Sequence, residues 1–298
     1  MRGLFFILLG FLFFTSNLNR AFASNQLTLH FINPPRALQW ETPQKITLST
    51  FLNAMIDRVQ GVNIPIGHVI EELECGDYHR YLGMSPDGDS EEIGAILGGY
   101  GLGTMLKKYK GHLDRSESAI RMIQSAAQYG RSNFVRFYIS GSSCQRLRQY
   151  IDEYEKRGLD KIYSGLDSYP LYQEGSGCSA FGASFLEVAG LLTPEMQETW
   201  MRHVVVPEEY IGGPQGKKSV NILKLIFAFG SQWESNPSRG VKIDFYDPEL
   251  MNAWVTKLTK DSVGKWKVEV REGVQGVSFD VASLPPREGD FFKVRSTQ

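Results

Sequence analysis

Paired ligand spacings are missing from this chain. Neither CxxC nor HxxxH occurs among its three cysteines and five histidines, which removes the usual zinc arrangements. Cys75, Asp77 and His79 alternate and could converge along a strand. Without a second pair they are a weak ligand set, so no metal and no cofactor is expected. Charge of one sign is missing too: 32 Lys and Arg face 33 Asp and Glu, net −1, with no long basic or acidic block. That removes the electrostatic footprint of a nucleic-acid binder. The glycines of Gly99-Tyr100-Gly101-Leu102-Gly103 fit neither GxxxxGK[ST] nor GxGxxG, so a phosphate loop is excluded. There is no internal repeat and no low-complexity tract.

Long apolar runs are missing after the N-terminus. Leu223 to Phe229 is only seven residues and reads as core, so no transmembrane segment is expected in the mature chain. The N-terminus differs. Arg2 gives a basic start, Leu4 to Phe14 is apolar, and Ala21-Phe22-Ala23 fits a small-x-small cleavage site. Residues 1–23 therefore read as a signal peptide, and the protein as exported, periplasmic or secreted. An oxidising compartment favours disulfides. Three cysteines leave at least one unpaired. The expected bond joins Cys75 to Cys144 and leaves Cys178 free; three reduced, buried thiols are the alternative.

What is present begins with a composition ordinary for a globular protein, 42% hydrophobic and 22% charged. Residues 24–44 read as an extended N-terminal arm broken by Pro34-Pro35 and Pro43. Leu48, Phe51, Leu52, Met55, Ile56 and Val59 recur at helical spacing, and Gly61 closes that helix. Strands are expected over Ile64–Glu74, His79–Met84 and Asn133–Ile139, and helices over Ser116–Gln128 and about 143–157. The glycine-rich stretch 94–103 reads as a loop. Thr193-Pro194-Glu195 and Asp247-Pro248-Glu249 both start helices with proline in the first turn. Lys265 to Val270 and Val274 to Val281 form a hairpin. Residues 193–298 read as a C-terminal extension, either an appended subdomain or a wrap around a core spanning 24–192.

The chemistry concentrates in two places. Cys178 lies in Gly175-Ser176-Gly177-Cys178-Ser179-Ala180-Phe181, small residues running into an apolar helix. A cysteine opening a helix has free N–H groups beneath its sulfur, which favour the thiolate and can hold an oxyanion. His68, in Gly67-His68-Val69-Ile70, enters a strand and carries a ring suited to a general base. A third group would orient that ring; His79, Glu72 and Glu74 are the candidates, and His79 in the next strand is preferred.

Strand His68, then Phe134-Val135-Arg136-Phe137-Tyr138-Ile139-Ser140, a helix, a Tyr-containing loop and Gly-Cys178-Ser-Ala-Phe running to Ala189-Gly190 together resemble the circularly permuted NlpC/P60 hydrolases. These are papain-like enzymes in which histidine precedes cysteine. The likeness covers about residues 60–192, and Gly177 stands where many members have asparagine. It implies an α+β fold, with a small antiparallel sheet packed against the Cys-bearing helix. It also implies a thiol hydrolase or acyltransferase with Cys178 as nucleophile, His68 as base and His79 as third member. The expected partner is a peptide or acyl substrate, such as a cell-wall peptide amide. The competing expectation is a non-catalytic exported binding or structural protein on the same scaffold.

Overall fold

The structure is a computed structural model that describes residues 25–295 apart from 63, 89, 262 and 263. The expected signal peptide lies outside the described residues. The fold is mixed α+β, with eight α-helices and eleven strands among the described residues. No helix among them is long and apolar enough to cross a membrane.

The main sheet has six strands in the order β10-β11-β6-β1-β2-β3. At its centre is β1 (Gln26–Ile32), the segment that the prolines of 34 and 35 make look like a loose arm. Its sequence, Leu27-Thr28-Leu29-His30-Phe31-Ile32, is buried on both faces. Such a strand shows no alternation for a sequence reading to find. It pairs antiparallel with β2 (His68–Cys75) on one side and β6 (Ser132–Tyr138) on the other. Beyond β2 lies β3 (Tyr78–Leu82), joined by the turn at Gly76. The sheet is not wholly antiparallel: β11 (Val274–Asp280) runs parallel to β6, and β10 (Trp266–Arg271) forms the hairpin with it.

Residues 193–295 play two roles. β10 and β11 complete the main sheet, and α8 (Pro248–Lys260) packs on β1, β6 and β11. The ribbon of β8 (Met201–Pro207) and β9 (Gly240–Tyr246) instead builds a second core of Val204, Val206, Tyr210, Ile243 and Phe245.

One face of the sheet carries α4 (Gly141–Lys156), α5 (Cys178–Val188) and α8 over Leu29, Val69, Leu73, Val135 and Phe137. Burial of Phe181, Phe185 and Leu186 of α5 supplies about 1.5–3 kcal/mol each. The other face carries α3 (Ser116–Gln128) over Ile32 and Ile70. The disulfide Cys75–Cys144 ties the end of β2 to the first turn of α4, with Cα atoms 5.8 Å apart, and Cys178 is free.

Besides β1, the stretch read as a glycine-rich loop departs from the sequence reading. Within the glycine-rich stretch, residues up to Leu97 belong to α2 (Ser90–Leu97), and a 3-10 turn follows at Leu102–Leu106. The helix expected before Gly61 is α1 (Pro43–Gln60), whose apolar stripe faces outward while Thr47, Ser49, Asn53 and Asp57 are buried.

Candidate active site

Where β3 ends, the chain leaves the main sheet. Gly83 turns it into β4 (Met84–Pro86), which pairs with β5 (Tyr109–Leu113) in the register Met84 with Leu113. Asp114, the next residue, is thereby drawn level with Gly83, and its N–H donates to the Gly83 carbonyl at 2.8 Å. A Cβ at residue 83 would stand 2.6 Å from Oδ2 of Asp114 and 3.3 Å from Nε2 of His68. Only glycine leaves room for these two side chains to meet. Nε2 of His68 lies 3.4 Å from Oδ2 of Asp114, and the Ser85 hydroxyl donates to the same oxygen at 3.1 Å.

His68 owes its position to Gly67, which is left-handed (φ 86°) and close to the Ile32 carbonyl and Pro248. On the opposite bank, Gly175 (φ 78°) brings the next loop against β7 (Ile162–Tyr163). Ser176 N–H donates to the Ile162 carbonyl at 3.3 Å, and Ser164 N–H donates to the Ser176 carbonyl at 3.2 Å. The buried Ser176 and Tyr154 hydroxyls are 3.2 Å apart. This loop delivers Cys178 as the first residue of α5, with Gly177 as a cap that offers no side chain. The Ser179 hydroxyl donates to the Tyr246 carbonyl at 2.6 Å and pins the first turn to β9.

The Cys178 thiol and the His68 ring lie close enough to shift each other's ionisation. Burial alone would keep both neutral. Against it, the charge of His68 and the N–H groups of Val69 and Ser179 hold the Cys178 thiol below its ordinary value. Likewise, burial opposes charge on His68, but Cys178 and Asp114 push its pKa up to about 10. Both shifts favour the thiolate–imidazolium form of the pair over the neutral one. Both residues are nearly enclosed, 6% and 8% exposed.

Two further groups border the pair. Glu71 is fully buried, and neither carboxyl oxygen has a hydrogen-bond partner. It lies under α5, where a Cβ at Gly182 would be 2.7 Å from Oε1. Burial, then the charge of Cys178, raises its pKa well above its ordinary value and favours the neutral acid. Tyr163 is kept protonated by burial and by the same sulfur.

The structure brings His68 and Cys178 together but places His79 elsewhere. The His79 ring bonds Glu72 at 3.0 Å and is half exposed. Glu72 also binds His30, Tyr81 and both terminal nitrogens of Arg271. Burial opposes its ionisation, yet those donors hold its carboxyl well below the usual range. Donor atoms of Glu72, Glu74 and His79 lie within 4.8 Å of one another. A cation there would have to displace the Arg271 guanidinium. The residue in contact with His68 is Asp114, which sequence reasoning passed over. Leu113-Asp114-Arg115 looks like any approach to a helix, and its meeting with His68 depends on the β4–β5 register.

No family model, no curated protein and no solved structure matches this chain.

Proposed function

We propose that the protein is a thiol hydrolase of the permuted NlpC/P60 type, exported from the cell, with Cys178 as nucleophile, His68 as acid and base, and Asp114 orienting the ring. The observation that carries this reading is the free cysteine at the first turn of α5, its thiol held down by the charge of an imidazole that a buried carboxylate also contacts. A cysteine kept only for packing has no need of either neighbour. Helix-bearing thiolate, strand-bearing imidazole and the order of histidine before cysteine agree with that family.

The reaction follows from the pair. The thiolate attacks a substrate carbonyl, an S–C bond forms, and the carbonyl electrons move to oxygen. Backbone N–H groups of the first turn of α5 are available to receive that oxyanion. The tetrahedral adduct collapses, the leaving amine or alcohol takes the proton of His68, and an acyl-thioester remains on Cys178. Water attacks next, His68 takes its proton, and the acid departs from the regenerated thiolate. The substrate class is a peptide amide or an acyl ester, for example a cell-wall peptide.

Alkylation by iodoacetamide at pH 5–6 tests the site. Cys178 should react faster than free cysteine, and His68→Ala should abolish the advantage. A rate no higher than that of free cysteine overturns the proposal. The near-enclosure of both side chains favours a second reading, a non-catalytic binding or structural protein. In that case the thiol resists alkylation, and Cys178→Ala leaves the protein's properties unchanged.

A further inference from the structure

The sequence marks α1 as an amphipathic helix and the structure seats it with the apolar side outward. Leu48, Phe51, Leu52, Met55 and Val59 form one stripe along the helix and are 39–89% exposed. Dedicated polar bonds fix this orientation from below. Asn53 accepts from the Arg36 N–H and donates to its carbonyl, and the Ser49 hydroxyl accepts from Gln39 N–H. Asp57 accepts from Ile64 N–H at 2.7 Å and from buried Arg131 at 2.7 Å. Rolling the stripe inward would break all of these and leave the buried Arg131 guanidinium without its carboxylate. The exposed stripe is therefore a designed surface of the fold. Patches of this kind mark interaction sites.

We infer that α1 docks flat on an anionic lipid surface. Charge selects this occupant. Lys45 and Arg58 are exposed near the two ends of the stripe, and the only acid in α1 is Asp57, buried and paired. Lys45 meets only Glu41, at 3.9 Å, in an exposed pair that a lipid phosphate can replace. Pairing with a second copy through this stripe would set Lys45 against Arg58 in an antiparallel arrangement, or each against its own kind in a parallel one. Either way like charges meet, whereas phosphate headgroups neutralise both. Phenylalanine, leucine and methionine between flanking cations are the composition of an interfacial helix. Gln44 ties the neighbouring turn to α1 through the Ile226 carbonyl at 2.8 Å, and that turn exposes Phe227 and Phe229 beside the stripe.

The test uses the full chain with phosphatidylglycerol–phosphatidylcholine vesicles. The wild type should co-sediment with them and bind pure phosphatidylcholine at least about tenfold less. The F51E/M55E and K45E/R58E pairs should each lose about tenfold in partitioning, with unchanged thermal midpoints. The conservative Phe51→Trp adds a reporter on the helix itself. Its fluorescence should be quenched by brominated acyl chains beyond the wild-type signal, whatever else in the chain touches the vesicle. No excess quenching in F51W, equal binding to neutral vesicles, or undiminished binding by the paired variants overturns the inference. So does a dimer in light scattering that F51E/M55E dissolves while vesicles bind neither form.

Discussion

Nε2 of His68 and Oδ2 of Asp114 lie 3.4 Å apart across a glycine that leaves no room for a larger residue. One carboxylate thus holds the ring that faces the only free sulfur among the described residues. Each part of this arrangement has a measurable consequence.

Asp114→Asn keeps the shape and removes the charge. Asp114 is one cause of the raised His68 pKa, so the imidazolium should deprotonate at lower pH than about 10. The alkaline limb of the rate profile should move down in pH, and turnover should fall by about 10²- to 10⁴-fold. Alkylation of Cys178 against pH reads the same shift without a known substrate.

The His68→Ala variant leaves the sulfur buried and without its counter-charge. Burial raises a thiol pKa, and only His68 and two N–H groups oppose it here. The wild-type thiolate should persist well below the ordinary thiol range. In the variant, the labelling curve should move at least about one unit towards alkali.

Gly83→Ala places a Cβ 2.6 Å from the Asp114 carboxylate. The carboxylate must yield, at a cost of about 1–3 kcal/mol. Thermal unfolding should record that loss, and Cys178 labelling at pH 5–6 should slow together with it. Unchanged labelling in a folded G83A protein would separate Asp114 from the chemistry.

Glu71→Gln removes a proton that the folded state retains. The unfolded chain releases it as pH passes about 4.5, while the native pKa lies well above that value. Stability from this group is therefore greatest below about 4.5 and falls as pH rises. Denaturation between pH 5 and 8 should show a shallower decline in E71Q than in the wild type.

Reduction of the Cys75–Cys144 bond opens a link between residues 69 apart in sequence. Stability should drop by about 2–4 kcal/mol in denaturant titration. Labelling of Cys178 should survive in the folded fraction, because its contacts do not involve that bond.

The reach of the sequence had a physical limit. Local signals were sound where local chemistry decides: the helix at Cys178 announces itself by small residues followed by Phe181 and Phe185, and α3 runs over Ser116–Gln128 as its spacing predicts. The Cys75–Cys144 bond and the mixed α+β class also follow from sequence. Elsewhere the deciding contacts are distant. β1 is covered by α3 on one face and by the α5 and α8 side on the other, all far away in sequence, so it lacks alternation. α1 has the period its sequence shows, but a stripe does not say which way it faces; Asn53, Asp57 and Arg131 decide that. Asp114 became visible only when Gly83 and β5 were set in register. The parallel contact of β11 with β6 has no signature in either strand.

That parallel contact sets the order in which the molecule can be made. β6 has β1 on one side and receives its other neighbour only when residues 274–280 arrive, more than 130 residues later. Until then Phe134, Val135 and Phe137 lie on an open edge, able to recruit any strand within reach. That edge stays uncovered until residues 274–280 have been made. A protein cut after residue 192 would carry both halves of the Cys178–His68 pair and still expose a strand prone to aggregation.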